Sequence, residues 1–309
     1  MTVAALLTQA RALGLERLDA MLLLGHRLGV GRAWLLAHDD APVPEPQAAG
    51  FLADCAQRLR GVPLAYLVGE REFHGLALRV TPAVLVPRPD TETLVDWALE
   101  WLQGAGAGQP APVVADLGTG SGAIALAVAR ACPRARVCAV DCSAQALAVA
   151  RDNGQRLGLA VEWLQGDWFE PLAERRFDLI LSNPPYIDAD DPHLAALHAE
   201  PLQALSPGAD GLAALRRIAA EAAAHLAPGG ALLLEHGHAQ GAAVRTLIGQ
   251  AGLLPLGTRR DLAGRERCTA GRAAGPTADV GQGLAYPAGR SAGASDTGRP
   301  PSRSEENPR

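Results

Sequence analysis

A short apolar run, Val113-Val114-Ala115, leads straight into Asp116-Leu117-Gly118-Thr119-Gly120-Ser121-Gly122, after which the sequence resumes an apolar helical pattern. No other feature constrains the fold as strongly. A buried strand turns directly into a helix packed back against it only where the intervening residues tolerate a tight bend, and this strand, glycine loop and helix open a doubly wound α/β sheet. The alternation continues beyond residue 91. The pattern predicts helices over 92–102, 124–129, 144–157 and 212–226, the third capped by Ser143, and strands over 113–117, 136–140, 161–164, 177–181, 231–234, 253–256 and 268–270. Pro228-Gly229-Gly230 is read as the stop of the last helix. The expected class is α/β, with a doubly wound, Rossmann-like sheet.

Residues 1–75 read as a small helical bundle. Leu18, Met21, Leu22 and Leu28 fall near one face of a helical period, a second amphipathic stretch covers 51–59, and Ala41-Pro42-Val43-Pro44-Glu45-Pro46 separates the two groups. From Phe73 to Pro89 the pattern shortens to Leu76-Ala77-Leu78-Arg79-Val80 and Val84-Leu85-Val86, which predicts a β-hairpin linker over 76–90. The sheet domain then occupies 91–272. Residues 273–309 are Gly, Ala, Ser, Pro and Arg with almost no large apolar side chain, and are expected to be disordered because they bury too little surface to offset their ordering entropy.

Composition narrows the chemistry. All positive side chains of the 309 residues are Arg; the absence of Lys excludes Schiff-base lysine chemistry and a P-loop lysine. A net charge of −5 disfavours a protein that lives on a phosphate backbone. Cys55, Cys132, Cys138, Cys142 and Cys268 are odd in number and lack metal spacing, which predicts reduced thiols and no metal. His236-Gly237-His238 reads as a strand end near the cleft rather than a ligand pair. No leader pattern or membrane-length apolar run is present, so a cytoplasmic protein is expected; a monomer is the expected state.

The glycine loop also satisfies G-x-G-x-x-[GA], with Ala123 closing it, so alone it fits either a nicotinamide dinucleotide or S-adenosylmethionine. In both cases Asp141, at a strand tip, would accept from ribose hydroxyls. Asp116 would either contact the donor's amino acid moiety or order the loop. Gly166-Asp167-Trp168 favours an adenosyl donor, since Asp167 could accept from the exocyclic amine and Trp168 wall the ring.

The acceptor motif follows the run over 177–181. In Asn183-Pro184-Pro185-Tyr186, the Asn183 side-chain oxygen and the Pro184 carbonyl offer two acceptors to one NH₂ group, the prolines stiffen the backbone, and Tyr186 supplies a flat face. Such a site would hold a planar nitrogen in line for alkylation, where orientation is worth effective molarities of about 10⁵ M or more. No base sits in the tetrad, which suits a proton that leaves after methyl transfer. These residues imply an S-adenosylmethionine-dependent N-methyltransferase.

The tetrad, the glycine loop, Pro87-Arg88-Pro89-Asp90-Thr91-Glu92 and Asp261-Leu262-Ala263-Gly264-Arg265-Glu266-Arg267 resemble the HemK/PrmC family, N5-glutamine methyltransferases of class-1 peptide chain release factors. The resemblance spans about residues 1–272 and includes the helical N-terminal region, the hairpin with Phe73, Gly75 and Pro87, and the late Gly-Arg segment. It implies a class I methyltransferase sheet, an N-terminal substrate-docking domain, and a target glutamine in the Gly-Gly-Gln loop of the factor. By position, Gly118, Thr119, Gly120, Ser121, Gly122, Asp141, Trp168 and Asn183 would bind S-adenosylmethionine, and the residue chemistry above adds Asp116 and Asp167 to that expected set. Asn183, Pro184, Pro185 and Tyr186 would hold the glutamine, with Asn183, Pro184 and Tyr186 catalytic. The family's usual Pro-Glu-Thr-Glu is Pro89-Asp90-Thr91-Glu92 here, with charge kept. Arg88 would contact the donor carboxylate or pin the linker.

Two rivals stand beside this reading. A nucleic-acid exocyclic-amine methyltransferase, acting on adenine N6 or guanine N2, uses the same tetrad geometry; the acidic balance argues against it. A nicotinamide oxidoreductase or nucleotide-binding module explains the glycine loop but gives Asn183 to Tyr186 no work.

Overall fold

The computed structural model describes residues 1–208 and 210–275. Five helices open the chain: α1 (Val3–Ala12), α2 (Arg17–Leu28), α3 (Arg32–Ala37), α4 (Glu45–Leu59) and α5 (Leu64–Val68). Thr2 caps the first by accepting from the Ala5 amide, and Pro44 sets the start of α4. Leu6, Leu23, Leu24, Leu35 and Phe51 pack into their common core. The α2 face differs from the expected one: Ala20, Met21, Leu23 and Leu24 are buried, while Leu18 is exposed. At about 100° per residue the buried arc centres on Leu24, which puts Leu18 on its shoulder. Arg27 of α2 grips the buried Asp54 of α4 in a bidentate pair, at 2.5 and 2.7 Å.

The hairpin is shifted from its expected place. Strands β1 (Glu70–Phe73) and β2 (Leu76–Arg79) pair antiparallel, whereas Val84-Leu85-Val86 forms no strand. The reason lies in the turn: His74 and Gly75 both have positive φ, 48° and 76°, the requirement of a two-residue hairpin whose twist matches its strands. Val84 and Val86 instead bury their side chains against Ala65 and Ala146. A 3-10 turn at Pro89–Thr91 leads into α6 (Glu92–Gln103).

The main sheet follows as β3 (Val113–Leu117), α7 (Ala123–Ala131), β4 (Arg136–Asp141), α8 (Ala144–Leu157), β5 (Glu162–Gln165), β6 (Phe177–Ser182), α9 (Ala213–His225), β7 (Leu226–Glu235), α10 (Gly241–Gln250), β8 (Leu254–Arg260) and β9 (Glu266–Arg272). Its order is β5-β4-β3-β6-β7-β9-β8, parallel through β7, with β9 antiparallel to both neighbours. The doubly wound expectation therefore stands, with helices covering both faces: Leu94, Leu102, Leu126 and Val128 pack on one, Leu215, Ile218, Val244 and Ile248 on the other. Ser143 caps α8 as expected, accepting from Ala146.

Two expectations change. Pro228-Gly229-Gly230 is not a loop after a helix stop: α9 ends at His225, and the segment is a bulge inside β7, between the pairs Phe177 with Leu226 and Leu179 with Ala231. A Cβ at Gly230 would stand 2.8 Å from the Phe177 carbonyl oxygen, so close strand approach, not helix termination, explains that glycine. At the chain's other boundary, Ala273 donates to the Gly230 carbonyl at 2.8 Å and the Ala274 carbonyl accepts from Gly229 at 3.2 Å, so 273 and 274 extend the backbone pairing instead of beginning a disordered tail. The rest of that expected tail lies outside the described residues.

Candidate active site

The chain crosses from β3 to β4 on one side of the sheet and later returns to place β6 on the other. Ligands of such sheets bind where neighbouring strands lead apart, beyond their carboxyl ends. Here those ends are Leu117 and Ser182, adjacent in register, and from them depart the glycine loop and the Asn183 to Tyr186 tetrad.

A cleft opens at this point, lined by Val84, Leu85, Gly118, Gly120, Asp141, Cys142, Ser143, Asp167, Trp168, Asn183 and Pro185. Asp141 ends β4 with one carboxylate oxygen accepting from Gly120 N at 2.8 Å and the other from Ser143 N at 2.9 Å. Burial raises its pKa and these two amides oppose the rise. Each oxygen keeps a lone pair for a hydroxyl in the cleft. Trp168 adopts a positive φ of 52° and lays its indole on the loop; a Cβ at Gly118 would stand 3.2 Å from its ring. Gly120 has open space on its side-chain side.

Asp116 is fully buried behind the loop rather than in the cleft. Its Oδ2 accepts from Thr119 Oγ1 at 2.6 Å and from Ala125 N at 3.2 Å, so of its two expected roles the hydrogen bonds favour ordering the loop. Desolvation pushes its pKa up to about 7 against those two bonds, and Oδ1 has no partner. Thr119 and Ser121 are likewise buried and line no part of the cleft. Asp167 lines the cleft, but its Oδ2 pairs with Arg217 of α9, which leaves less of the carboxylate for an adenine amine than the sequence suggests.

A second, smaller cavity shares Leu85, Asn183 and Ala204 with the first and adds Arg88, Pro184, Tyr186, Ile187, Leu197 and Leu205. Asn183 thus sits on the partition between the two. Its Nδ2 donates to Thr91 Oγ1 at 3.0 Å. Among the described residues neither its Oδ1 nor the Pro184 carbonyl accepts a hydrogen bond, so both acceptors remain available. Gln240 fixes the tetrad's far end, donating to the Tyr186 carbonyl at 3.0 Å.

Glu235, Glu200 and Asn153 escape a reading of motifs, whereas Arg88, Tyr186 and Arg267 stand in the motifs already quoted. Glu235, at the end of β7, is fully buried; Tyr186 Oη donates to its Oε1 at 3.4 Å, and Oε2 has no partner. Burial pushes this carboxyl up to about 7, opposed by the Thr91 hydroxyl and by Arg267. The Tyr186 phenol is raised by burial and by Glu235, so it stays protonated and donates. Arg267 is buried between Asp261 and Asp90, 3.0 Å from each. Arg88 pairs with Glu200, whose other oxygen accepts from Val86 N at 3.0 Å, which pins the linker to the segment lining the second cavity. Asn153 accepts from Arg79 N at 2.7 Å and donates to the carbonyls of Arg79 and Ser121, each at 3.0 Å, tying hairpin to glycine loop. The sequence signals were single polar residues inside apolar runs, such as the acid closing Ala231 to Leu234. His236 is buried with both ring nitrogens engaged, to Thr269 Oγ1 at 2.8 Å and the Gly237 carbonyl at 2.9 Å.

Comparison with known proteins identifies what the chain is similar to. A family model described as "Methyltransferase small domain" matches residues 99–249, and one described as "PrmC N-terminal domain" matches residues 2–69. A Bordetella pertussis protein named "Release factor glutamine methyltransferase" is 56% identical over 261 residues, covering 84% of this chain and 95% of that protein. One of the same name from Xylella fastidiosa (strain Temecula1) is 52% identical over 264 residues, covering 84% and 94%. Among solved structures, a methyltransferase from Pyrococcus furiosus aligns with a TM-score of 0.49 at 18% identity, over 72% of this chain and 98% of that one.

Proposed function

The chain belongs to the release factor glutamine methyltransferase family, and from that premise we propose that the two cavities meeting at Asn183 are its donor and acceptor sites. The protein is an S-adenosylmethionine-dependent enzyme that methylates a glutamine of release factors. The finer statement, that the target is N5 of the glutamine in the Gly-Gly-Gln loop of class-1 factors, is part of the proposal. Under it the enzyme works as a monomer in the cytoplasm and binds no nucleic acid directly. Among the described residues no helix is long and apolar enough to cross a membrane.

The donor cleft fits the cofactor's parts. Gly118 and Gly120 bring bare backbone to the cleft, Asp141 offers acceptors for ribose hydroxyls, and Val84, Leu85, Trp168 and Pro185 provide an apolar wall for a purine. S-adenosylmethionine supplies an electrophilic methyl group on a sulfonium. Thr119, Ser121 and Asp116 belong to the reading as supports of the loop, and Asp167 as a cleft residue held by Arg217.

The chain's own contribution to chemistry is orientation. Asn183 Oδ1 and the Pro184 carbonyl accept the two N–H groups of a carboxamide, which places its nitrogen at the partition. They also favour the positive charge that grows as the nitrogen's lone pair leaves conjugation, worth about 3 kcal/mol per well-placed partner. Tyr186 flanks the acceptor cavity, and Leu85, Leu197 and Leu205 limit the water that reaches it. The amide proton leaves after transfer.

The observation that carries this reading is Asn183 lining both cavities with an unpaired side-chain oxygen. Incubation with methyl-labelled S-adenosylmethionine and, separately, a release factor, its Gly-Gly-Ala variant and bulk RNA tests it. Label is expected in the unaltered factor alone; label in RNA and none in the factor would reject the proposal.

A further inference from the structure

Pro185 has no N–H, so the peptide plane that carries the Pro184 carbonyl holds an acceptor and no donor. Its oxygen is the atom kept free for the substrate amide, which leaves the plane no hydrogen bond of its own to fix its direction. Its aim is inherited from the residues on either side. On the Asn183 side the hold is the bond from Nδ2 to Thr91 Oγ1. On the other side two successive planes are tied down. Tyr186 N and Ile187 N both donate to the Leu205 carbonyl, at 3.2 and 2.9 Å, and the Tyr186 carbonyl accepts from Gln240 Nε2 at 3.0 Å.

The Gln240 amide has one orientation that suits its surroundings. Its Oε1 accepts from Gly237 N at 2.9 Å, and a backbone N–H can only donate; its Nε2 faces the carbonyls of Tyr186 and Gly211, at 3.0 and 3.4 Å, which can only accept. A flipped amide would lose all three bonds. Room for the contact comes from Gly211, whose φ is 65°: a Cβ there would stand 2.7 Å from the Tyr186 oxygen and 3.1 Å from Gln240 Nε2. The Gln240 N–H closes its own turn onto the Gly237 carbonyl at 2.8 Å, so the side chain springs from a fixed base between β7 and α10. Gln240 lines neither cavity.

We propose that Gln240 is a positioning residue for methyl transfer: by holding the Tyr186 carbonyl it anchors the far half of the tetrad, and so keeps the Pro184 carbonyl aimed at the acceptor nitrogen. The proposal rests on the acceptor-site reading above. It gives Gln240 no contact with substrate or donor.

Gln240→Glu separates this role from others, because it keeps the size of the side chain and an oxygen for Gly237 N while replacing the NH₂ donor with an oxygen that faces two carbonyls. Gln240→Met keeps the length and loses both functions. The full-length proteins are assayed at about pH 8, well above the ordinary Glu value of about 4.3, for kcat and KM on release factor, for donor affinity by calorimetry, and for the urea unfolding midpoint. In both variants kcat is expected to fall by about tenfold or more, because a small misplacement set up away from the reacting atoms is costly in rate, with donor affinity within about twofold. A role confined to the turn at Gly237 would spare Gln240→Glu and harm only Gln240→Met, and a packing role would lower the urea midpoint and donor affinity in step with kcat. Wild-type kcat in Gln240→Glu, a change confined to KM, or donor affinity lost in proportion to kcat would overturn the proposal. An unaltered enzyme that modifies no release factor would instead reject the function, so the two failures are distinct.

Discussion

Ser182 Oγ donates to the Leu117 carbonyl at 2.7 Å, a buried bond joining the ends of the two strands that launch the glycine loop and the tetrad. Backbone pairing between β3 and β6 ends at these residues. The bond therefore ties the two strands together at the place where the glycine loop and the tetrad part.

Replacing Ser182 with Ala is expected to cost about 1–3 kcal/mol, because the Leu117 carbonyl is left buried without this partner. Urea unfolding reads the stability loss. Turnover should fall more than donor affinity, since the donor cleft retains its Asp141 to Gly120 bond. Unchanged unfolding midpoints would show that the strand ends are held by backbone pairing alone.

The Arg88 to Glu200 pair makes a different prediction, because it faces the acceptor cavity. Glu200 is nearly fully buried whereas Arg88 is about one-third exposed, with side-chain exposures of 2% and 35%. Removing the carboxylate with Glu200→Ala leaves Val86 N and Arg88 without their acceptor, while Arg88→Ala strands a buried carboxylate. The second is expected to destabilise more, by up to about 3 kcal/mol given that Arg88 is part solvated. Both should raise KM for the release factor, with donor affinity nearly unchanged. Equal KM values for variants and wild type would separate the pair from substrate binding.

Asn183→Ala removes the shared side chain. Donor affinity is expected to survive in part, since Gly118, Asp141 and Trp168 still line the cleft. Transfer should drop about 100-fold or more, the worth of one positioned acceptor. Single-turnover assays beside calorimetric titration of the donor distinguish the two effects, and a variant that loses binding and transfer equally would contradict the assigned role.

The parts of the site that sequence made legible are those where backbone chemistry is written in residue type. Gly118 and Gly120 mark the loop because both adopt a positive φ, and Asn183 to Tyr186 stand out because consecutive prolines fix a direction. Apolar runs placed β3 to β6 within a residue, as at Val113–Leu117, whereas β7, β8 and β9 run two to five residues past the expected ends. The misplaced hairpin shows the limit: Val84 and Val86 alternate like a strand, yet a single φ-positive pair at His74 and Gly75 decides where the chain folds back. Asn153, Glu200 and Glu235 were hidden for a common reason. Their partners lie far along the chain, such as 74 residues between Arg79 and Asn153, and a polar residue with a distant partner looks like any other polar residue.

Asp116 gives the site a pH signature in stability. Its carboxyl titrates near 7 in the folded protein because burial outweighs the bonds from Thr119 and Ala125, against an ordinary value of 3.8. The folded state therefore keeps a proton that the unfolded chain releases across the interval from 3.8 to about 7. Unfolding then releases protons, so stability is full below the lower value and declines as pH rises through the interval, by about 1.4 kcal/mol per pH unit for each such group. Glu235, also pushed up to about 7, adds a slope of the same sign. In Asp116→Asn the amide oxygen can still accept from Thr119 and Ala125, and no proton is exchanged at that position. Urea midpoints measured at pH 5 and pH 7 should differ less in this variant than in the wild type, with the lower-pH midpoint higher in both. Identical differences in the two proteins would mean that Asp116 is already ionised in the folded state at pH 5, and that the loop is held by a charge instead of a neutral acid.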